Sequence, residues 1–193
     1  MPQYFTKSIM RQLSSKRVNN YKSSEQVLHD SLRSVSDTEK FDVFLSHSSQ
    51  DADLILGVKL FLESKGLKPY VDWVDDAQLN RHEVTRASAE LLRKRMRQSH
   101  SLIYVVTDSS SQSRWMPWEL GYFDGFRPKQ VSVMPLLDYS QQSFQGQEYI
   151  SLYPLISKSF DNSGYERIYV QEYPTAWTLL ENFCSKSPSW RPY

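Results

Sequence analysis

One carboxylate in this sequence sits in surroundings that could do chemistry. Glu119 falls within Ser113-Arg114-Trp115-Met116-Pro117-Trp118-Glu119-Leu120-Gly121-Tyr122-Phe123, where aromatic residues crowd a single acid. On a helix, residues four apart share a face, so Trp115 and Glu119 lie together, Phe123 follows one turn on, and Tyr122 borders the same surface. Proline is accommodated only in a helix's first turn, so Pro117 sets the start near Arg114 to Met116. Glu119 then lies early in the helix, where the positive dipole end favours an ionised carboxylate. A charged carboxylate beside flat aromatic faces can receive a ligand that is itself flat and cationic. The plainer alternative is a surface glutamate next to core aromatics.

Composition narrows the classes available. A chain of 193 residues supports one domain with a sizeable core and additional residues at its ends. Hydrophobic residues at 39% and a net charge of +1 indicate neither disorder nor polyanion binding, so no nucleic-acid partner is expected. The 12 Tyr and 5 Trp supply faces on which planar ligands stack. A lone cysteine, Cys184, excludes an internal disulfide framework and fits a reducing cytosol. No apolar run approaches the ~20 residues that span a bilayer, and the N-terminus lacks a signal-peptide apolar core. The expectation is a soluble cytoplasmic protein without a membrane partner.

The elements that must position Glu119 alternate between strand and helix. Residues 41–46 form a compact apolar strand, followed by small polar residues at 46–51 that suit a helix-capping loop. Leu54, Ile55, Val58, Phe61 and Leu62 make the stripe of an amphipathic helix ended by Gly66. A second strand is predicted at 67–73 and a polar loop at 73–80. Asn80 and Glu83 are spaced as a capping box for a helix over 81–98, with Val84, Ala87, Leu91 and Leu92 inward and Arg86, Arg93, Lys94, Arg95 and Arg97 on a basic, solvated face. Residues 101–107 read as a central parallel strand, and 108–113 as a Ser-rich loop into the Glu119 helix. Further strands are expected at 131–137 and, at an edge, 167–170, with irregular structure and a helical turn or two across 138–166. Pro174 opens a last helix containing Trp177, Leu180, Phe183 and Cys184, and Pro188 marks its end. Residues 1–38 are polar and basic-leaning, and Val27, Leu28, Leu32 and Val35 recur at helical spacing. They read as a short helical arm that packs on the domain or on a partner. The pattern predicts an α/β, flavodoxin-like open sheet of about five parallel strands with helices on both faces, plus this N-terminal arm. Such sheets bind ligands beyond the carboxyl ends of their strands, which brings loops 46–51, 73–80 and 108–115 together on Glu119.

The stretch from Phe41 to Asp51 resembles the opening motif of Toll/interleukin-1 receptor (TIR) domains, and Ser113 to Leu120 resembles their later Ser-x-Trp-x-x-x-Glu-Leu motif. Tyr70-Val71-Asp72-Trp73 stands where that family has its second strand and following loop. The likeness covers about residues 39 to 186, which makes residues 39–188 the TIR domain and 1–38 a helical extension. Two features depart from the family pattern: the loop after Trp73 lacks a Gly- or Pro-containing tip, and Pro117 lies inside the glutamate motif.

The resemblance implies one of two activities. Enzymatic members cleave NAD+ between nicotinamide and ribose through a glutamate that falls on Glu119 here, some of them as small stand-alone proteins of the Thoeris antiphage system whose messenger activates a separate effector. Other members are non-catalytic and act by TIR–TIR assembly, for which the basic helix 81–98 and the aromatic-rich segment 138–153 are the candidate surfaces. The enzymatic reading makes Glu119 catalytic and Phe44, Ser46, His47, Ser48, Asp72, Trp73, Trp115 and Trp118 substrate-binding. Among these, Trp115 and Trp73 stack on a ring, and Ser46, His47 and Ser48 hydrogen-bond ribose or phosphate. NAD+ is then a substrate, with no cofactor and no metal. A third possibility is another N-glycosidic enzyme acting on nucleosides or nucleotides.

Overall fold

A computed structural model describes residues 3–16, 35–76, 85–140, 142–144, 146, 148–172, 174–185 and 188–193. The first elements are a two-residue strand, β1 (Phe5–Thr6), and a helix, α1 (Lys7–Ser15), capped by Thr6 Oγ1, which accepts from the Ile9 N–H at 3.3 Å. Strand β2 (Phe41–Ser46) leads through a 3-10 turn to α2 (Ala52–Ser64), β3 (Pro69–Tyr70) and the one-turn α3 (Asp72–Asp75). Helix α4 (Arg86–Gln98) feeds β4 (Ser99–Val106), and α5 (Met116–Phe126) feeds β5 (Val131–Leu137). The remainder comprises β6 (Leu155–Phe160), β7 (Glu166–Glu172), β8 (Ala176–Leu179), α6 (Leu180–Ser185) and β9 (Arg191–Pro192).

All the described strands join one sheet in the order β3-β2-β4-β5-β6-β7-β8-β9, with β1 alongside the end of β5. Neighbours from β3 to β6 are parallel, as the alternation of strands and helices predicts. From β6 to β9 the pairing is antiparallel. Side chains alternate across the sheet: Val43, Leu45, Ile103, Val105, Met134 and Leu136 enter a core shared with α1, α2 and α6. Phe44, Leu102, Tyr104, Val131 and Val133 enter a second core shared with α4 and α5. Helices therefore cover both faces. Among the described residues, no helix is long and apolar enough to cross a membrane.

Several elements differ from the sequence expectation. The edge strand expected at 167–170 is β7, an interior strand, and β6 lies within a segment expected to be irregular. Trp177 is on a strand, because it packs edge-on against Tyr169 of β7 at 5.3 Å; the last helix starts only at Leu180. The strand expected at 67–73 stops at Tyr70, because the Asp75 carboxylate accepts the Val71 N–H at 2.8 Å and turns the chain into α3. In α4 the cap is Thr85, which accepts from the Ser88 N–H at 3.1 Å; Leu92, Arg95, Met96 and Gln98 are buried and Leu91 packs half-buried on the second core, as expected, while Ala87 is exposed. Arg95, expected on the solvated face, is buried against Asp76. The Asn80 and Glu83 capping box and Val84 lie outside the described residues, as do Val27, Leu28 and Leu32 of the N-terminal pattern.

Residues 5–15 are built into the fold. Phe5 and Met10 are buried in the first core, and Phe5 packs on Phe61 at 4.9 Å. Helices α1 and α2 meet at Gly57, where a Cβ would lie 2.1 Å from the Met10 carbonyl oxygen. Gly57→Ala must therefore push α1 off α2. The expected cost is about 1–3 kcal/mol in chemical denaturation, the usual range for overpacking; an unchanged midpoint would show that the two helices do not meet this closely.

Candidate functional site

Register brings the site together. Ser46, the last residue of β2, is paired opposite Tyr104 of β4, so their side chains stand at the carboxyl edge of the sheet on adjacent strands. Pro117 occupies the first turn of α5, where its missing N–H leaves no helical bond unmade. The Glu119 N–H then closes the first turn onto the Trp115 carbonyl at 2.8 Å. That turn aims Glu119 back at the strand ends, and Ser46 Oγ donates to Glu119 Oε2 at 2.6 Å. Both residues are wholly buried.

Tyr104 joins them and was not expected from the sequence. Burial first, then the adjacent Tyr149, which is hydrogen-bonded to it, and then the Glu119 carboxylate push the Tyr104 phenol above its ordinary range. The phenol therefore stays a neutral hydroxyl across the physiological range. The only sequence signal for it was one polar atom in the run Leu102-Ile103-Tyr104-Val105-Val106. Glu119 thus lies among hydroxyls in a site shut off from water, where a carboxylate acts on a nearby positive charge more strongly than it would in solvent.

The other expected site residues divide. His47 Nε2 lies 3.4 Å from Asp72 Oδ1 with both side chains fully buried, and His47 Nδ1 lies 3.3 Å from the Ser48 carbonyl oxygen. This contact joins the end of β2 to the start of α3. Ser48 accepts from the Gln50 N–H at 3.3 Å and, with Trp115, lines an open cleft of about 310 Å³ together with Ser49, Gln50, Gln112, Ser113 and Arg114. Such a volume is at the small end for ligand sites. Gln50 Nε2 donates across the cleft to Gln112 Oε1 at 3.1 Å, and Asp51 accepts from the Thr107 and Ser109 hydroxyls, so both walls are tied.

Two expected binding residues are elsewhere. Phe44 is fully buried and stacked on Tyr70 at 5.2 Å, because strand alternation turns it into the second core. Trp118 stacks on Tyr122 at 5.8 Å, away from the cleft, with the Arg93 guanidinium of α4 5.2 Å over its ring. Its nearest tie to the cleft is an edge contact with Trp115 at 5.4 Å. Trp73 falls on α3, and its side chain lies outside the described set. Glu119 itself does not line the cleft; Trp115, one helical turn before it, does.

An α/β sheet that is parallel from β3 to β6, helices on both faces and an acid at its carboxyl edge define the class. The TIR domain family matches residues 43–169, and the chain belongs to that family. It is 38% identical over 166 residues, covering 85% of this chain and 86% of the other, to a Bacillus cereus (strain MSX-D12) protein provisionally named 3' cyclic ADP-D-ribose synthase ThsB'. A Cytobacillus dafuensis protein provisionally named cyclic ADP-D-ribose synthase TIR2 is 34% identical over 89 residues, 46% of this chain but 24% of that longer protein.

The Ser46–Glu119 contact makes a direct prediction. Ser46→Ala removes a donor from a buried carboxylate and should destabilise the fold by about 1–3 kcal/mol in urea unfolding. No loss of stability would mean that the carboxylate does not rely on this hydroxyl.

Proposed function

We propose that the chain is an NAD+ nucleosidase of the cyclase type, which breaks the nicotinamide–ribose bond and releases nicotinamide and an ADP-ribose-derived product that serves as an antiphage signal. The observation that carries this reading is the convergence of Glu119, Ser46 and Tyr104 at the carboxyl edge of a TIR-domain sheet. The resemblance of 85% of the chain to ThsB', named for a cyclic ADP-D-ribose product, supports it.

The chemistry fits the groups present. The ribose C1'–nitrogen bond breaks with its electron pair going to nicotinamide, which leaves as a neutral pyridine and needs no general acid. Positive charge develops on C1' and the ring oxygen, and the Glu119 carboxylate stabilises it. A hydroxyl of the ADP-ribose portion, or water, then adds at C1' and loses its proton. Trp115, which lines the cleft, is the aromatic side chain available there to nicotinamide or adenine. Ser46 can turn its hydroxyl from Glu119 to a ribose hydroxyl. In this reading NAD+ is the substrate and no cofactor takes part.

The burial of Glu119 adds a condition. Substrate reaches the carboxylate only after the surrounding walls part, and self-association of TIR domains is the step proposed to open them. The same burial favours a second reading, a non-catalytic module that acts through TIR–TIR contacts alone. Incubating the purified protein with NAD+, dilute and concentrated, and identifying products by mass spectrometry separates the two. Nicotinamide release that rises with concentration, and falls at least about a hundredfold in Glu119→Gln, is the expected result. Intact NAD+ under every assembled condition would leave the interaction module.

A further inference from the structure

The wall of the cleft that runs into the Glu119 helix is held from within by Ser110, which donates to the Val105 carbonyl and accepts the Thr107 N–H, and from outside by ties to other segments. From Thr107 to Arg114 it carries only polar side chains, so its position depends on polar ties. Two of these, Asp51 to the Thr107 and Ser109 hydroxyls and Gln50 to Gln112, come from the facing wall. A third comes from the N-terminal segment. Strand β1 runs parallel to the end of β5, with Phe5 opposite Leu136 and Thr6 opposite Leu137, so the chain leaves the sheet at its carboxyl edge. The next residue, Lys7, places Nζ 2.7 Å from Asp108 Oδ2 and 3.1 Å from Asp138 Oδ1. Asp108 opens the cleft wall after β4, and Asp138 follows β5.

The geometry is lopsided. The Lys7 side chain is 10% exposed, while those of Asp108 and Asp138 are 91% and 65% exposed. Packing of Phe5 and Met10 thus fixes the ammonium, and the cation in turn holds two otherwise solvated carboxylates at neighbouring strand ends. Ion pairs with such exposed partners contribute little to global stability. Their consequence here is local, because one partner, Asp108, begins the loop whose later residues, Gln112 to Trp115, line the cleft.

We propose that Lys7 is a positioning residue for substrate binding: it clamps the base of the Asp108–Trp115 wall and so sets the shape of the cleft that receives NAD+. The NAD+ part rests on the function proposed above; the clamp itself does not. The test compares wild type, Lys7→Met and Lys7→Arg, the last able to span both carboxylates. Amide hydrogen exchange over residues 107–113 should speed up in Lys7→Met and return to wild type in Lys7→Arg. The KM for NAD+ should rise about fivefold in Lys7→Met with kcat changed less than about twofold, and be restored by arginine. A melting temperature that falls while exchange at 107–113 and KM stay at wild-type values marks a merely structural lysine and overturns the role, as does no effect in any readout. If wild type consumes no NAD+, the function reading fails, and the exchange measurement alone decides the clamp.

Discussion

A carboxylate removed from water must find donors, and in this chain the donor is a serine hydroxyl 73 residues earlier in the sequence. The Ser46–Glu119 hydrogen bond can form only if β2 and β4 hold the pairing that sets Ser46 opposite Tyr104. A slip of one residue would turn Ser46 to the other face of the sheet and take this hydroxyl away from Glu119. It also requires α5 to begin where Pro117 allows, so that the first turn points at the strand ends. Sheet register, helix start and burial are thus one constraint, and the polar cluster is its product.

A second buried network ties the end of β3 and the residues after it to α4 and to the approach to β2. The Arg95 guanidinium takes Asp76 in a two-point contact at 2.6 and 2.7 Å, and Tyr70 donates to that carboxylate at 2.8 Å. Gln98, which accepts from Arg95, donates to the carbonyls of Ser36, Asp37 and Glu39. Burial, then the charges of Asp72 and Asp76, push the Tyr70 phenol well above its ordinary range, which keeps it a donor. Helix α4, the end of β3 and the approach to β2 are therefore locked in one arrangement. A buried ion pair of this kind contributes more to a unique geometry than to net stability, because desolvation offsets much of its attraction.

Local pattern disclosed some of this and long-range pairing the rest. Strands β2, β4 and β5 were legible as apolar runs, and Pro117 located the start of α5. Glu119 stood out as a lone acid among aromatics, and the family match over 43–169 agrees with the motif reading. Periodicity says which residues share a face but not which face meets solvent. Phe44 and Trp118, expected at the site from the family resemblance, lie elsewhere: one is in the core, the other stacked under Arg93. Arg95 read as solvated because its partner Asp76 lies on a different element. Of the antiparallel strands only part of β7 was expected, at 167–170; the set is held by cross-strand contacts such as Tyr169 with Trp177, which join residues of different elements. Lys7 had no local signal, since both its partners lie more than a hundred residues away.

Cleavage at Glu119 requires that this carboxylate, buried against Ser46, be where the nicotinamide–ribose bond sits during reaction. A crystal structure of the assembled protein with an uncleavable NAD+ analogue decides this. The expected result is the nicotinamide-bearing ribose against Glu119, with the Ser46 hydroxyl turned from the carboxylate to the sugar. An analogue bound elsewhere, with the Ser46–Glu119 hydrogen bond intact and the carboxylate still enclosed, would contradict it.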